Sequence, residues 1–199
     1  MSTRRDDASD VPGFRLRHGA RIMQAGGVVA YPTEGVFGLG CDPWDAGAVR
    51  RVLALKGRDA AKGLILLAAS AEHLEPFLEA HGFGLLIAAY RQWEAGDERR
   101  ATTWVVRAAP EVPVLLRGQH AGLAVRISKH RQAAALSRAF GGAIVSTSAN
   151  RSGRPPARSA LESRLRLGAA VDMVIGGATG GEQRPSRIVD LESGSVLRD

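Results

Sequence analysis

The chain is organised around short apolar runs that do not alternate with polar residues. Residues 27–31, 64–68, 123–127 and 143–145 are the clearest, rich in Val, Ile, Leu and Ala. Runs of this length read as buried strands. Helix signals lie between them. Asp45 offers an N-cap ahead of Val49, Val52, Leu53 and Lys56 at helical spacing, and Gly57 offers a stop. Ser70 is placed to cap a short helix. Residues 83–93 and 130–140 read as helices, the second alanine-rich and closed by Gly141-Gly142. Ser159 with Glu162 makes a capping box for another. Residues 103–106, 173–175 and 187–191 read as further strands. Continuous apolar strands separated by helices predict an α/β sheet covered on one face or both. The pattern leaves strand direction open.

The 199 residues suit one domain with a full core. Residues 1–10 are polar and lack the apolar stretch of a signal peptide, so we expect a flexible tail over 1–13 and one domain over 14–199. No apolar run approaches the roughly 20 residues of a membrane span, so no membrane partner is expected. A lone cysteine, Cys41, excludes an internal disulfide and a cysteine-rich zinc site. It reads as a small buried residue, and the default address is cytoplasmic. The net charge of +7 fits either a polyanionic partner or simple solubility. The kind of cation is more informative. Lysine occurs only as Lys56, Lys62 and Lys129, and the first two lie close together. A chain that otherwise uses arginine keeps lysine where a compact point charge suits better than a planar fork.

No phosphate-binding G-x-x-x-x-G-K-[ST] and no G-x-G-x-x-G is present, and His18, His73, His81, His120 and His130 show no metal-ligand spacing. Four polar clusters remain where strands meet loops. Tyr31-Pro32-Thr33-Glu34-Gly35 presents Thr33 at a strand end, with Pro32 stopping ladder pairing; an ordinary turn is the plain alternative. Lys56-Gly57-Arg58 with Lys62 makes a phosphate cradle, or a helix C-terminus dressed with cations that suit its dipole. Ser146-Thr147-Ser148-Ala149-Asn150 follows an apolar strand with enough hydroxyl and amide groups for a ligand's polar edge. Arg126, between Val125 and Ile127, needs an anionic partner, either a structural carboxylate or a ligand carboxylate.

Taken together, these clusters resemble the YrdC/Sua5/TsaC family of threonylcarbamoyl-AMP synthases, in the short bacterial form without an extra C-terminal domain. The matching segments are GVVAYPTEGVFGLGCD at 27–42, LKGR at 55–58, KGLIL at 62–66, LAVRI at 123–127, STSANRSG at 146–153 and Pro185-Ser186. The resemblance implies a single-domain α/β fold, a twisted mixed or parallel sheet with flanking helices around a concave basic cavity. It implies synthesis of threonylcarbamoyl-adenylate and pyrophosphate from L-threonine, bicarbonate and ATP, for the t6A modification of tRNA. The family's K-x-R and S-x-N residues fall on Lys56, Arg58, Ser148 and Asn150, which become the expected catalytic set. Thr33 matches the threonine that contacts L-threonine, and Arg126 the arginine near its carboxylate. Lys62, Ser146 and Ser186 complete the expected substrate-binding wall. ATP ordinarily brings Mg²⁺, for which no protein ligand stands out. Other t6A-pathway proteins, and tRNA itself, are the implied partners.

The chain departs from the family at three places. A Trp-Pro-Gly-Pro-x-Thr motif is expected where Glu98-Arg99-Arg100-Ala101-Thr102-Thr103 stands, and only Thr103 fits. Asp59 replaces the proline usual after K-x-R, and Pro156 stands where serine is frequent. The competing expectation is a non-catalytic RNA- or nucleotide-binding paralogue, which predicts salt-sensitive RNA affinity without ATP turnover.

Overall fold

The computed structural model describes residues 13–96 and 100–199. Their spine is a nine-stranded sheet made of β1 (Val29–Pro32), β2 (Phe37–Gly40), β3 (Ile65–Ala68), β4 (Thr102–Arg107), β5 (Gly122–Ile127), β6 (Ile144–Ser148), β7 (Met173–Val174), β8 (Arg187–Asp190) and β9 (Val196–Arg198). The order across it is β7-β1-β2-β6-β3-β5-β4-β8-β9. The pairs β1–β7, β3–β5 and β4–β8 are parallel and the others antiparallel, so the sheet is mixed. The helices are α1 (Gly13–Gln24), α2 (Ala46–Lys56), α3 (Ala80–Ala95), α4 (Val114–Arg117), α5 (Arg131–Phe140) and α6 (Ala160–Leu167). None is long and apolar enough to cross a membrane.

Alternation along the strands sorts side chains between two faces. Leu123, Val125 and Ile127 of β5 and Leu66 and Ala68 of β3 enter the larger core, with Val49 and Val52 of α2, Leu86 of α3 and Leu116 of α4. On the other face, Leu67 of β3 and Ile144 of β6 pack under Leu16, Ala20 and Met23 of α1 and Ala133 and Leu136 of α5. Those two helices cover only part of that face. Ala124 and Arg126 of β5, Ile65 of β3 and Ser146 and Ser148 of β6 line an open concavity on the rest. One sheet thus supplies both the core and the cavity floor.

The helix punctuation follows its chemistry. Asp45 accepts hydrogen bonds from the Gly47 and Ala48 amides, and Gly57 ends α2 at a φ of 56°. His130 caps α5 and Gly141 closes it. Ser159 accepts from the Glu162 amide, but the Glu162 carboxylate accepts from the Arg158 amide, one residue before the cap's own. Ser70 caps nothing: the turn Glu72–Phe77 is 3-10, with Ala71 before it and no side-chain cap. Pro32 does not stop the ladder at once, since it pairs opposite Phe37 as the last residue of β1. The strand expected to end at 145 continues to Ser148, which puts Ser146 and Ser148 on one face.

Helix α1 and strand β2 are absent from the sequence reading. The core side of α1 is Leu16, Gly19, Ala20 and Met23, a weak apolar stripe because half of it is small. β2 is Phe-Gly-Leu-Gly, and glycine lowers strand propensity. Its glycines answer to Tyr31: a Cβ at Gly40 would stand 2.8 Å from the Tyr31 ring and 2.7 Å from Val145 O. Cys41 is fully buried, and burial, with Asp42 and Asp45 nearby, pushes its thiol up to about 12. Of the expected tail, Gly13 opens α1 and the rest lies outside the described residues, as do Glu98 and Arg99.

Candidate active site

The cavity on the uncovered part of the sheet measures about 1050 Å³, at the top of the roughly 300–1,000 Å³ usual for ligand pockets. Eight cations line it (Arg58, Lys62, Arg107, Arg117, Arg126, Arg158, Arg184 and Arg198) against four carboxylates (Glu34, Glu182, Asp190 and Glu192). The excess of positive charge suits an anionic ligand.

One part of the wall is built around Arg126. Its Nε donates to Thr103 Oγ1 at 3.1 Å, its Nη2 to Ser186 Oγ at 2.8 Å and its Nη1 to Glu34 Oε2 at 3.4 Å. Ser186 Oγ also takes a hydrogen bond from Arg198 Nη2 at 3.0 Å and lies 2.9 Å from Thr103 Oγ1. Two arginine donors fill the acceptor sites of the serine hydroxyl, so its own proton goes to Thr103. Ser128 Oγ donates to Glu34 Oε1 at 2.5 Å. Burial raises the Glu34 carboxyl, but Arg126, Ser128 and the backbone together outweigh it and hold the group below its usual value. The partner of Arg126 in this structure is therefore a carboxylate of the chain itself. Thr33 lies beside it, with its hydroxyl donating to Val36 O at 2.7 Å. The segment after β7 crosses over this loop, where the Gly180 amide donates to Thr33 O and the Glu182 amide to Glu34 O, both at 3.0 Å.

A second part of the wall is built around α2 and the end of β6. Lys56 is 3% exposed. Its ammonium donates to Ser148 O, to Ser148 Oγ at 3.2 Å, to Asn150 O at 3.0 Å and to Asn150 Oδ1 at 2.8 Å. Ser148 Oγ in turn donates to Asn150 Oδ1 at 2.7 Å. Burial, and after it the charge of Arg58, lower the Lys56 ammonium to about 8. Arg58 reaches the other way, its Nε on Gly63 O at 3.0 Å and its Nη2 on Lys62 O at 3.3 Å.

Of the sequence-predicted residues, Thr33, Arg58, Lys62, Arg126, Ser146, Ser148 and Ser186 line the cavity together. Lys56 and Asn150 are not on its surface; they clasp each other through the loop that carries Ser148. Asp59, in place of the family's proline, caps the turn Ala60–Lys62 through the Ala61 amide. Pro156 also lines the cavity.

The Sua5/YciO/YrdC family model, described as "Telomere recombination", matches residues 21–199. The chain belongs to the Sua5/YciO/YrdC family. It is 50% identical over 190 residues to the threonylcarbamoyl-AMP synthase of Alkalilimnicola ehrlichii, covering 94% of this chain and 96% of that one. It is 43% identical over 198 residues to the threonylcarbamoyl-AMP synthase of Thiobacillus denitrificans, covering both chains completely. The structure of P. abyssi Sua5 complexed with L-threonine superposes with a TM-score of 0.81 at 31% identity, over 92% of this chain and 52% of that one. This chain therefore spans about half the length of that Sua5. E. coli YciO shares the fold, with a TM-score of 0.77 at 24% identity over 96% of this chain and 91% of that one.

Within this Sua5/YciO/YrdC domain, several wall residues escaped the sequence reading. Glu34 sits inside a quoted motif, yet only its contact with Arg126 distinguishes it. Arg117, Arg158, Arg184 and Arg198 come from four separate segments that only the fold brings to one cavity. The wall does not fit a protein-held Mg²⁺. Among the described residues no three of His, Cys, Asp and Glu gather as ligands. The four cavity carboxylates are engaged: Glu34 by Arg126 and Ser128, Glu182 by the Ala101 amide, Asp190 by the Glu192 amide and Glu192 by Arg107.

Proposed function

We propose that this chain makes threonylcarbamoyl-adenylate and pyrophosphate from L-threonine, bicarbonate and ATP. The observation that carries this reading is the division of one cavity wall. The opposed charges of Arg126 and Glu34 suit a small zwitterion, while Arg58, Lys62 and the Ser148 loop suit phosphates. The curated relatives covering nearly the whole chain are threonylcarbamoyl-AMP synthases, and the cavity has room for a nucleotide and an amino acid side by side.

The threonine amine joins the carbon of bicarbonate, water leaves, and a carbamate results. A carbamate oxygen then attacks the α-phosphorus of ATP and displaces pyrophosphate. Such transfer asks the protein mainly for positioning and charge neutralisation. Arg126 holds the threonine carboxylate with Ser186 fixing its guanidinium beside it, and Thr33 and Ser146 border the amino acid. Arg58 and Lys62 neutralise the phosphates. Ser148 contacts the nucleotide from a loop that Lys56 and Asn150 hold in shape. Magnesium arrives on the phosphates of ATP rather than in a protein cage, and no step is assigned to it.

The product is a reactive acyl-adenylate, so a partner that presents the tRNA adenosine has to accept it quickly. Other t6A-pathway proteins fill that role in the cytoplasm, and the excess of basic residues favours tRNA nearby.

The test is to incubate the protein with ATP, bicarbonate and single amino acids, following pyrophosphate and product mass. Pyrophosphate that depends on threonine, with a threonylcarbamoyl-adenylate mass, supports the reading. Release indifferent to the amino acid, or none with all three substrates present, rejects it.

A further inference from the structure

Glu34 matches the charge of the zwitterion in that scheme but has no part in its bond-making steps. Its side chain is 13% exposed and lines a cavity meant for anions. A carboxylate there repels both ATP and the carboxylate of threonine, so its presence calls for a positive ligand group. The Arg126–Glu34 contact is also slack. At 3.4 Å it is longer than the roughly 2.7–2.9 Å of a good charge-assisted bond, while neutral hydroxyls hold the guanidinium at Nε and Nη2. Nη1 is the edge that a ligand carboxylate takes over at least cost, and Glu34 then faces the ligand's ammonium instead.

We propose that Glu34 accepts the proton that the ammonium of L-threonine has to lose before its nitrogen can attack bicarbonate. The inference rests on the proposed function and deepens it. First, the ammonium N–H bond breaks and the Glu34 O–H bond forms, giving a neutral amine and a neutral acid. The amine nitrogen then bonds to the bicarbonate carbon. A C–O bond breaks, and the departing hydroxyl leaves as water with one further amine proton, giving the carbamate anion. Glu34 returns its proton to solvent when the product leaves.

The surroundings fit this cycle. Arg126 and Ser128 hold the Glu34 carboxyl below its usual value, which favours the ionised form that can take up a proton. Once a ligand carboxylate engages Arg126, the burial of Glu34 dominates. A poorly solvated ammonium–carboxylate pair then relaxes toward the neutral amine and acid. The other titratable groups facing Glu34 are Tyr31 and His130. Burial, more than the opposing Ser146 and Arg126, keeps the Tyr31 phenol protonated. His130 accepts the Ala133 amide at Nδ1, and its Nε2 lies 3.1 Å from Ala178 O, so both ring nitrogens are already engaged.

The test compares wild type with Glu34→Gln, which keeps an oxygen for Ser128, in both directions of the reaction. The reverse reaction, purified threonylcarbamoyl-adenylate plus pyrophosphate giving ATP, exchanges only P–O bonds and needs no proton from an ammonium. We expect threonine-dependent pyrophosphate release by Glu34→Gln to fall about 10²-fold or more, with ATP formation within a few-fold of wild type. The forward defect should also shrink as pH rises and free threonine loses its proton unaided. A wild-type forward rate in Glu34→Gln, or equal losses in both directions, overturns the assignment. A wild type silent in both directions sinks the proposed function, and this inference with it. An active wild type beside an unimpaired variant sinks the Glu34 role alone.

Discussion

The Lys56 ammonium lies 2.8 Å from Asn150 Oδ1 and ties the end of α2 to the loop that follows β6. Its other acceptors are Ser148 O, Ser148 Oγ and Asn150 O, so one buried cation organises a whole loop edge. Lys56→Met keeps the length and apolar bulk of the side chain but takes the donor from Asn150 O, while Ser148 O keeps the Asn150 amide and Asn150 Oδ1 keeps the Ser148 hydroxyl. A stranded buried acceptor costs about 1–3 kcal/mol, and a fall in Tm should be plain. Loss of the ordered Ser148 should lower turnover by about 10²-fold, the scale of a lost preorganised donor, and raise KM for ATP more than for threonine. The sign with pH follows from the value of about 8 in the folded chain. Between that pH and about 10.4 the unfolded chain holds the lysine proton more firmly. Wild-type stability relative to Lys56→Met should therefore rise across this window. A Tm difference that stays flat, with an unchanged KM for ATP, removes Lys56 from the loop's support.

Gly63 and Gly118, at φ values of 60° and 65°, lock the K-x-R loop against the end of α4. Leu64 N donates to Leu116 O at 2.7 Å and Gln119 N to Ala61 O at 3.0 Å. A Cβ on Gly118 would overlap Ala61 O, and one on Gly63 would stand 2.8 Å from Leu116 O. Gly118→Ala should cost at least the roughly 1–3 kcal/mol of a strained backbone position and loosen Arg58 and Lys62 together. The expected result is a lower Tm and weaker ATP binding by calorimetry, with threonine binding little altered. A variant as stable as wild type contradicts the packing described.

Arg117 stands at this same lip. Among the described residues neither Arg58, Lys62 nor Arg117 is in a salt bridge. Arg117 donates from Nη1 to His120 O at 3.0 Å and lines the cavity. Arg117→Ala should weaken competitive inhibition by pyrophosphate roughly tenfold or more, the scale of one charge-assisted hydrogen bond, with KM for threonine unchanged. Arg117→Lys should recover part of it. An unaltered pyrophosphate inhibition constant assigns the terminal phosphates to Arg58 and Lys62 alone.

What the sequence revealed followed from local physics. Asp45 with Gly57, and Ser159 with Glu162, announce helix ends within a few residues of chain, and the apolar runs of β3, β5 and β6 need no partner to be recognised. β2 was hidden because the glycines that accommodate Tyr31 also erase a strand's signature. α1 was hidden because half of its core stripe is Gly19 and Ala20. Partnerships between distant segments were out of reach. Arg126 called for an anion, yet nothing local could name Glu34, 92 residues away. Arg198 carries no local signal, and only the pairing of β9 brings it to Ser186. The K-x-R and S-x-N motifs stood out through the family resemblance, but the burial of Lys56 behind Ser148 depends on how α2 meets β6.

The Glu34–Arg126 pair also makes a prediction about folding. Arg126 lies near Arg198, whose ordinary basicity is lowered by burial first and by Arg126 next. Removing the carboxylate leaves two neighbouring guanidinium groups without a counter-charge. Glu34→Gln should therefore lose about 1.5–3 kcal/mol at neutral pH, the range for hydrogen bonds to charged groups. A chain with roughly 5–15 kcal/mol in hand remains folded after that loss. The acid limb carries the sign. Glu34 is held below its unfolded value, so its contribution is fully present above about pH 4.3, the ordinary glutamate value, and is lost as pH falls through the folded value. Below that point wild type and Glu34→Gln should converge. Denaturant titrations of both proteins from neutral pH down into the acid limb measure this directly. A stability gap that persists undiminished at the acid end would mean that the pair contributes by packing rather than by charge.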